Sequence, residues 1–243
     1  MKKIILLLLI FVSASFADGF IPDPKMGDRW IIRRQIGEFT EEGGNVTKTQ
    51  YWKYEVIADV LLDNTEYIVI LITSDETKKN IKLTIQKEGF ILREIAITEG
   101  GDSVNIKVEE IIAPFIGTGD YSHLYDLPAF PLLDANRADK YVIAPESGNK
   151  RLRTNFRRHL YSKGDVVTTE LIWQETENIS IENIRKFSSL TDDYLNKFKN
   201  DGFFLLIKGE KRRVRQVWLP DIPWWIYNRA TNERNYLVDF IEK

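Results

Sequence analysis

Alternation of apolar and polar residues in the first half of the chain is the feature that most constrains its fold. Ile81, Leu83 and Ile85 are apolar, whereas the residues between and beside them are polar. The same period of two recurs over 52–60 and 103–109. Because successive side chains of a strand point to opposite faces, this period predicts strands with one buried face and one solvated face. An antiparallel sheet with a single apolar face is the expected product.

Turn-forming residues separate these stretches. Glycine, asparagine and aspartate, which tolerate positive φ, cluster at 43–45, 63–64, 100–102 and 163–165. The segment 67–72 is apolar throughout, which predicts a strand covered on both faces. Further strands are predicted at 151–161, 166–175, 203–208, 213–219 and 235–241.

One helix is predicted in the second half of the chain. Thr191 is its N-cap candidate, because a threonine hydroxyl accepts hydrogen bonds from the backbone N–H groups of the first turn. Tyr194, Leu195 and Phe198 form the apolar stripe of this helix. Gly202 is expected to end it.

Residues 111–149 break the pattern. They contain four prolines and show no sustained periodicity. A connection this long is uncommon inside a compact domain, where it is usually functional or flexible. We expect a single β-rich domain over residues 18–243 that carries this irregular excursion.

Together these patterns predict a mainly β fold of the β-rich α+β class. We expect a long, twisted antiparallel sheet that can curl into a half-barrel or open barrel, with one or two helices packed on it. This strand layout resembles that of periplasmic lipoprotein-carrier and lipid-binding folds. The resemblance implies that a ligand is held in the concavity of the sheet.

Residues 1–17 have the three parts of an export signal. Lys2 and Lys3 are followed by nine apolar residues, 4–12, and then by the small-residue site 15–17 that signal peptidase reads. A helix of nine residues is about 14 Å long, too short for a hydrocarbon core of about 30 Å. We therefore expect cleavage after Ala17 and a periplasmic or extracellular protein without a transmembrane span. An uncleaved N-terminal anchor is the alternative.

The composition excludes several classes of function. There are no cysteines and two histidines, which leaves no disulfide, no thiolate nucleophile and no histidine-rich metal site. With 34 Lys and Arg against 36 Asp and Glu, the net charge of −2 gives no basic excess for nucleic acid. Motifs such as Gly-x-Ser-x-Gly and His-Glu-x-x-His are absent from the sequence. We therefore expect no catalytic residues, no metal and no cofactor.

Four large aromatic residues lie within ten residues near the C terminus, beside two prolines: Trp218, Trp224, Trp225 and Tyr227. Exposed rings of this kind stack on sugars or line an apolar ligand cavity, which makes the four residues candidate ligand-binding residues. Buried rings would instead plug one end of the sheet, since large aromatics usually belong to cores.

Two basic clusters form a second candidate site. Arg151, Arg153 and Arg157 alternate along one predicted strand, and Arg213 and Arg215 along another. Alternate residues of a strand share a face, so each set directs its guanidinium groups to one side. If the two strands share a sheet, the five arginines are expected to form one anion-facing patch. A solvated face paired with acids on neighbouring strands is the alternative.

These candidates favour an exported, non-catalytic binding or carrier protein of the bacterial envelope, with an amphiphilic, apolar or anionic ligand. A polysaccharide-binding surface module that uses the tryptophans is the second hypothesis. A hydrolase is the third, because nine acids against three bases lie between residues 99 and 146 and paired carboxylates can cleave glycosides. No nucleic-acid partner is expected.

Overall fold

Strands dominate the computed structural model, which describes residues 22–39, 43–107, 151–162, 165–198, 202–208, 213–230 and 232–242. The predicted export signal and the irregular excursion lie outside these residues. The strands are β1 (Arg29–Phe39), β2 (Gly44–Leu62), β3 (Thr65–Thr73), β4 (Lys79–Gln86), β5 (Ile91–Glu99), β6 (Asp102–Lys107), β7 (Arg151–Ser162), β8 (Asp165–Ile179), β9 (Gly202–Lys208), β10 (Arg213–Trp218), β11 (Trp225–Ala230) and β12 (Glu233–Ile241). Two one-turn helices lie between β8 and β9: α1 (Ile181–Ile184) and α2 (Asp192–Leu195).

All twelve strands belong to one antiparallel sheet. Its order is β6-β5-β4-β3-β2-β1-β12-β11-β10-β9-β8-β7, so each strand lies beside its sequence neighbours except that β6 and β7 lie at opposite edges, and β1 pairs with β12. The first and last strands of the described chain are therefore paired in the middle of the sheet. Among the described residues, β6 and β7 are the two edges, so the sheet is open. The predicted mainly β, antiparallel fold is confirmed.

One face of the sheet, the inner face, carries the core. Ile81, Leu83 and Ile85 have no exposed surface, as their alternation predicts. Trp52 and Leu237 are equally buried on strands from the two halves of the chain. One continuous cluster of buried side chains joins both halves. Burial of each large side chain contributes about 1.5–3 kcal/mol relative to exposure, and this term holds the sheet together.

Residues with positive φ make the predicted turn at 63–64. Asp63 and Asn64 have φ values of 48° and 62°, in the left-handed region that aspartate and asparagine tolerate. Two such residues form the tight hairpin turn whose twist matches that of the flanking strands. This turn joins β2 to β3.

The prediction that 67–72 is covered on both faces is wrong for one of them. Ile68, Ile70 and Ile72 are buried in the core, but Tyr67, Val69 and Leu71 on the other face are partly exposed. We call this second face the outer face. Leu71 remains partly exposed because it lines a surface cleft over β12, β1, β2 and β3.

The helix at Thr191 is shorter than predicted. The hydroxyl of Thr191 accepts a hydrogen bond from the backbone N–H of Tyr194, but α2 ends at Leu195, after a single turn. Gly202 begins β9 instead of ending the helix. A Cβ at this position would collide with the carbonyl oxygen of Trp218, so glycine is needed for the close approach of the two segments.

The segment between β8 and β9 packs on the outer face. Phe187, which follows α1, contacts Phe204 and Tyr227 with ring centroids 5.8 Å and 5.5 Å away. Arg33 on β1 donates a hydrogen bond to the hydroxyl of Ser189 at 2.7 Å. No helix in the part of the chain that the structure describes has the length and apolarity to cross a bilayer.

Candidate functional site

A cleft of about 360 Å³ opens on the outer face of the sheet, where strands from both ends of the chain meet. Its volume lies at the lower end of the range of about 300–1,000 Å³ that is typical of small-molecule sites. The side chains that line it from the outer face are apolar (Ile31, Leu71 and Ile241), charged (Arg29, Lys53, Glu55 and Asp239) or polar (Thr73).

Two neighbouring cross-strand rows build this cleft. The first row runs Ile241, Arg29, Glu55, Leu71 across β12, β1, β2 and β3. The second row runs Asp239, Ile31, Lys53, Thr73 across the same strands. Residues opposite each other in antiparallel strands lie about 4.5–5.5 Å apart at Cβ, so each row is a continuous strip of side chains. The pairing of β1 with β12 completes both strips.

The charges of the cleft are balanced. Arg29 donates to Glu55 at 2.7 Å, and both side chains are well exposed. Lys53 donates to Asp75 at 2.7 Å, at the rim of the sheet. Exposed pairs of this kind add about 0–1 kcal/mol to stability, so they can rearrange around a ligand at little cost. Apolar side chains beside balanced, exposed charges suit a ligand with both apolar and polar parts.

Helix α2 stands beside the Asp239 side of the cleft. Burial, with the nearby carboxylates of Asp239 and Glu242 acting in the same direction, raises the pKa of the Tyr194 phenol to about 12. The phenol therefore stays neutral at physiological pH. Tyr194 and Phe198 contact each other with ring centroids 5.3 Å apart.

The structure places the predicted tryptophans in the core. Trp218, Trp224 and Trp225 have no exposed surface. Trp224 contacts Trp30 at 4.9 Å and Tyr54 at 5.2 Å between centroids. These positions agree with the alternative in which the rings are buried in the core. A role of these residues in ligand binding stays a prediction.

Tyr227 does not join this tryptophan cluster through any ring contact between described residues. It contacts Phe187 and Tyr236 on the outer face and is 7% exposed. Trp30 and Tyr54, in contrast, stack on each other at 5.4 Å and also border the cleft. They connect the cleft to the aromatic core.

A buried polar row, which sequence reasoning missed, crosses the inner face. It consists of five residues paired in register, each at most 2% exposed: Gln50, Arg34, Asn235, Asn228 and Gln216. Glu233 accepts from Arg34 at 2.9 Å and from Asn235 at 2.6 Å. The alternation of Trp30, Ile32 and Arg34 along β1 is the signal that could have placed Arg34 inside. Matched polar partners in one row favour a single pairing register.

The two predicted basic clusters lie in the same sheet, but their strands are not neighbours. Strands β7 and β10 are separated by β8 and β9, a distance of about 14 Å at about 4.8 Å per strand. Arg153 and Arg215 belong to the same cross-strand row, with Glu175 and Leu206 between them. The pairing of β7 with β8 and of β10 with β9 also sets the positions of Arg151, Arg157 and Arg213. Anion binding by the five predicted arginines stays a prediction.

Arg215 has two closer basic neighbours, which no local sequence pattern singled out. It pairs with Arg229 on β11, and Arg229 pairs with Arg234 on β12. We call Arg215, Arg229 and Arg234 the arginine row. Within the described ranges, no group of three or more His, Asp or Glu residues is arranged to hold a metal ion.

No protein-family model matches the chain, and no curated protein matches it in sequence. Three solved structures are similar to it at low scores. One, from Bacteroides fragilis, was assigned as an exported protein with a YmcC-like fold; it shows 10% identity and a TM-score of 0.34 over 93% of this chain and 100% of its own. Another, from Parabacteroides distasonis, was assigned as a lipoprotein and shows 9% identity and a TM-score of 0.30 over 93% and 99%. A β-barrel-like protein of a domain family of unknown function from Brucella abortus shows 10% identity and a TM-score of 0.33 over 90% and 98%. Similarities at this level carry no argument about function.

Proposed function

We propose that this protein is an exported, non-catalytic binding protein of the bacterial envelope that holds an amphiphilic ligand in the outer cleft. The cleft of about 360 Å³, with its apolar side chains beside balanced charges, is the observation that carries the proposal. The export part rests on the signal-like residues 1–17.

The arrangement of side chains supports a ligand with one apolar chain and one polar group. Leu71 and Ile31 provide apolar contact, while Arg29 and Lys53 provide donors for the polar group of the ligand. Because Glu55 and Asp239 offset these two cations, a zwitterionic or weakly charged head group suits the cleft better than a strong anion.

The positions of the tryptophans give no support to the hypothesis of a polysaccharide-binding module. Stacking on a sugar requires an exposed ring face, and Trp218, Trp224 and Trp225 have none. The amphiphile is proposed to bind on the outer face, because the buried core fills the inner face.

Titration with a single-chain zwitterionic lipid, lysophosphatidylcholine below its micelle concentration, tests the proposal. Trp30 borders the cleft, so binding should change tryptophan fluorescence saturably. Leu71→Asp should weaken binding at least about tenfold, because burial of a leucine side chain contributes about 1.5–3 kcal/mol and about 1.4 kcal/mol is a factor of ten.

Leu61→Asp is the matched control. Leu61 is 67% exposed near the β2–β3 turn and does not line the cleft, so the same chemical change should leave binding unaltered. No saturable response from the wild-type protein, or equal binding by the Leu71→Asp variant, would contradict the proposal.

A further inference from the structure

A β-bulge in β2 changes the face to which the end of this strand presents its side chains. Val56 pairs with Ile70 and Ala58 pairs with Val69, so Ile57 is an extra residue in β2. In such a bulge two residues of one strand oppose one residue of its partner, and Ile57 and Ala58 therefore lie together opposite Val69 on the outer face. Without the extra residue, the even-numbered side chains that follow in β2 would point to the inner face.

The bulge creates an apolar surface on the outer face of β2 and β3. Beyond the bulge, Val60 pairs with Tyr67, and Leu62 pairs with Thr65 beside the turn. Leu62 is 55% exposed, and the other apolar residues of this surface are partly exposed. We call these residues the apolar strip: Ile57, Ala58, Val60, Leu62, Tyr67, Val69 and Leu71.

The apolar strip begins in the outer cleft. Leu71 belongs to both, and it pairs with Glu55 in the cross-strand row that contains Arg29. Along β3, Tyr67 is four residues from Leu71, about 14 Å at about 3.4 Å per residue. Thr65 at the start of β3 is about 20 Å from Leu71 on the same scale. A ligand with its polar group at the charged side chains of the cleft can therefore extend its apolar part along the strip.

The apolar strip is narrow. The outer-face residues of β4 that pair with it are polar: Lys82, Thr84 and Gln86. Two strands at about 4.8 Å spacing and a length of about 20 Å give an area of about 200 Å². A stable protein interface buries about 800 Å² on each partner, so the strip is too small to be the core of one.

The far end of the apolar strip is acidic. Three carboxylates, those of Asp59, Asp63 and Glu66, surround the β2–β3 turn. Lys87 forms ion pairs with Asp59 at 3.1 Å and with Glu66 at 3.7 Å and offsets part of this charge. The remaining negative charge repels the surface of an anionic bilayer. The size and charge of the strip thus favour a single hydrocarbon chain over a protein partner or a membrane surface.

We propose that the apolar strip binds the hydrocarbon chain of the ligand, which makes this ligand an amphiphile with one unbranched chain. The inference rests on the proposed function, in which the outer cleft receives the polar group. An extended chain advances about 1.25 Å per carbon, because its C–C bonds of about 1.52 Å form a zigzag. The distances from Leu71 to Tyr67 and to Thr65 then correspond to about 11 and about 16 carbons.

Fluorescence titration with octyl-, dodecyl- and hexadecylphosphocholine, each below its critical micelle concentration, tests the inference. An octyl chain is about 10 Å long and ends before the pair of Val60 and Tyr67, whereas a dodecyl chain of about 15 Å reaches it. The wild-type protein should bind the dodecyl compound at least about tenfold more tightly than the octyl compound, because the added methylene groups leave water on the strip. The hexadecyl compound should bind more tightly still.

Val60→Asp separates the apolar strip from the cleft. This variant should weaken binding of the dodecyl compound at least about tenfold and leave binding of the octyl compound unchanged, since only the longer chain reaches position 60. Leu62→Asp is the second variant; its position is well exposed, so it should fold normally and weaken binding of the hexadecyl compound. Leu61→Asp is the matched control: Leu61 pairs with Glu66 on the opposite side of the hairpin, so all three compounds should bind as to the wild type.

The outcomes distinguish failure of this inference from failure of the proposed function. Equal affinity of the wild type for the three compounds, or unchanged binding by both Val60→Asp and Leu62→Asp, would overturn the inference and leave binding in the cleft intact. Absence of binding of every compound would contradict the proposed function and the inference together. Sedimentation equilibrium tests another occupant: a wild-type dimer that dissociates in Leu62→Asp would show that a second copy covers the strip, and would also overturn the inference.

Discussion

The Arg34 guanidinium and the Glu233 carboxylate form a 2.8 Å salt bridge inside the sheet, with side-chain exposures of 2% and 6%. Arg34 belongs to β1 and Glu233 to β12, so this pair joins the first and last strands of the described chain. Gln50 accepts a further hydrogen bond from Arg34 at 3.0 Å. The pairing of β1 with β12 also builds the outer cleft, so the buried salt bridge positions the proposed site from the opposite face.

Glu233→Gln should destabilise the protein strongly. It leaves the buried guanidinium of Arg34 without its counter-charge, a change that typically costs about 3–5 kcal/mol. Glu55→Gln is the control, because it breaks the exposed pair with Arg29 and should cost less than about 1 kcal/mol. Denaturant unfolding of both variants measures the difference, and equal losses of unfolding free energy would show that burial of the pair has no special importance.

Trp224→Ala should also lower stability, by about 3–5 kcal/mol, because it opens a cavity between Trp30 and Tyr54. Tyr51→Ala, at a position 45% exposed, should change the unfolding free energy by less than about 0.5 kcal/mol. Calorimetric melting of the two variants provides the measurement. A folded Trp224→Ala variant with wild-type stability and a lost ligand response would instead favour a binding role for the tryptophan.

Stability should fall at alkaline pH through Tyr194. Its folded-state pKa of about 12 is above the value of 10.0 that applies to an unperturbed phenol. The unfolded chain therefore releases this proton first as the pH rises, and the stabilising contribution present below the unfolded pKa is lost as the pH approaches the folded pKa. Tyr194→Phe should show a smaller loss of unfolding free energy between about pH 9 and about pH 11 than the wild type. Identical pH profiles would refute the assignment.

Export should be accompanied by cleavage after Ala17. The intact mass of protein recovered from the envelope or medium should correspond to a chain that begins at Asp18. Replacement of Lys2 and Lys3 by glutamate should reduce the exported fraction, because the positive n-region is lost. Mature protein that still carries Met1 would contradict cleavage.

The sequence predicts local structure here better than it predicts the sites. Alternation at Ile81, Leu83 and Ile85 identifies β4 because the period of two is a property of one strand. The cleft requires Arg29 to lie beside Ile241, which follows only from the pairing of β1 with β12. No local pattern encodes that pairing, since the two residues are at opposite ends of the described chain.

The basic residues also show that a local sequence pattern does not predict which strands are neighbours. Alternation places Arg213 and Arg215 on one strand, as predicted, but their cross-strand neighbours depend on strand order. The order brings Arg229 and Arg234 beside Arg215 and leaves two strands between Arg215 and Arg153. The tryptophans were ambiguous for another reason: an aromatic cluster has the same composition whether it forms a core or a binding surface.

Native mass spectrometry of protein taken directly from its own envelope tests the central claim, that the outer cleft holds an amphiphile. The wild-type protein and the Leu61→Asp variant should each carry one noncovalent amphiphile per chain, and Leu71→Asp should be recovered bare. A bare wild-type chain, or an unchanged adduct on Leu71→Asp, would contradict the account.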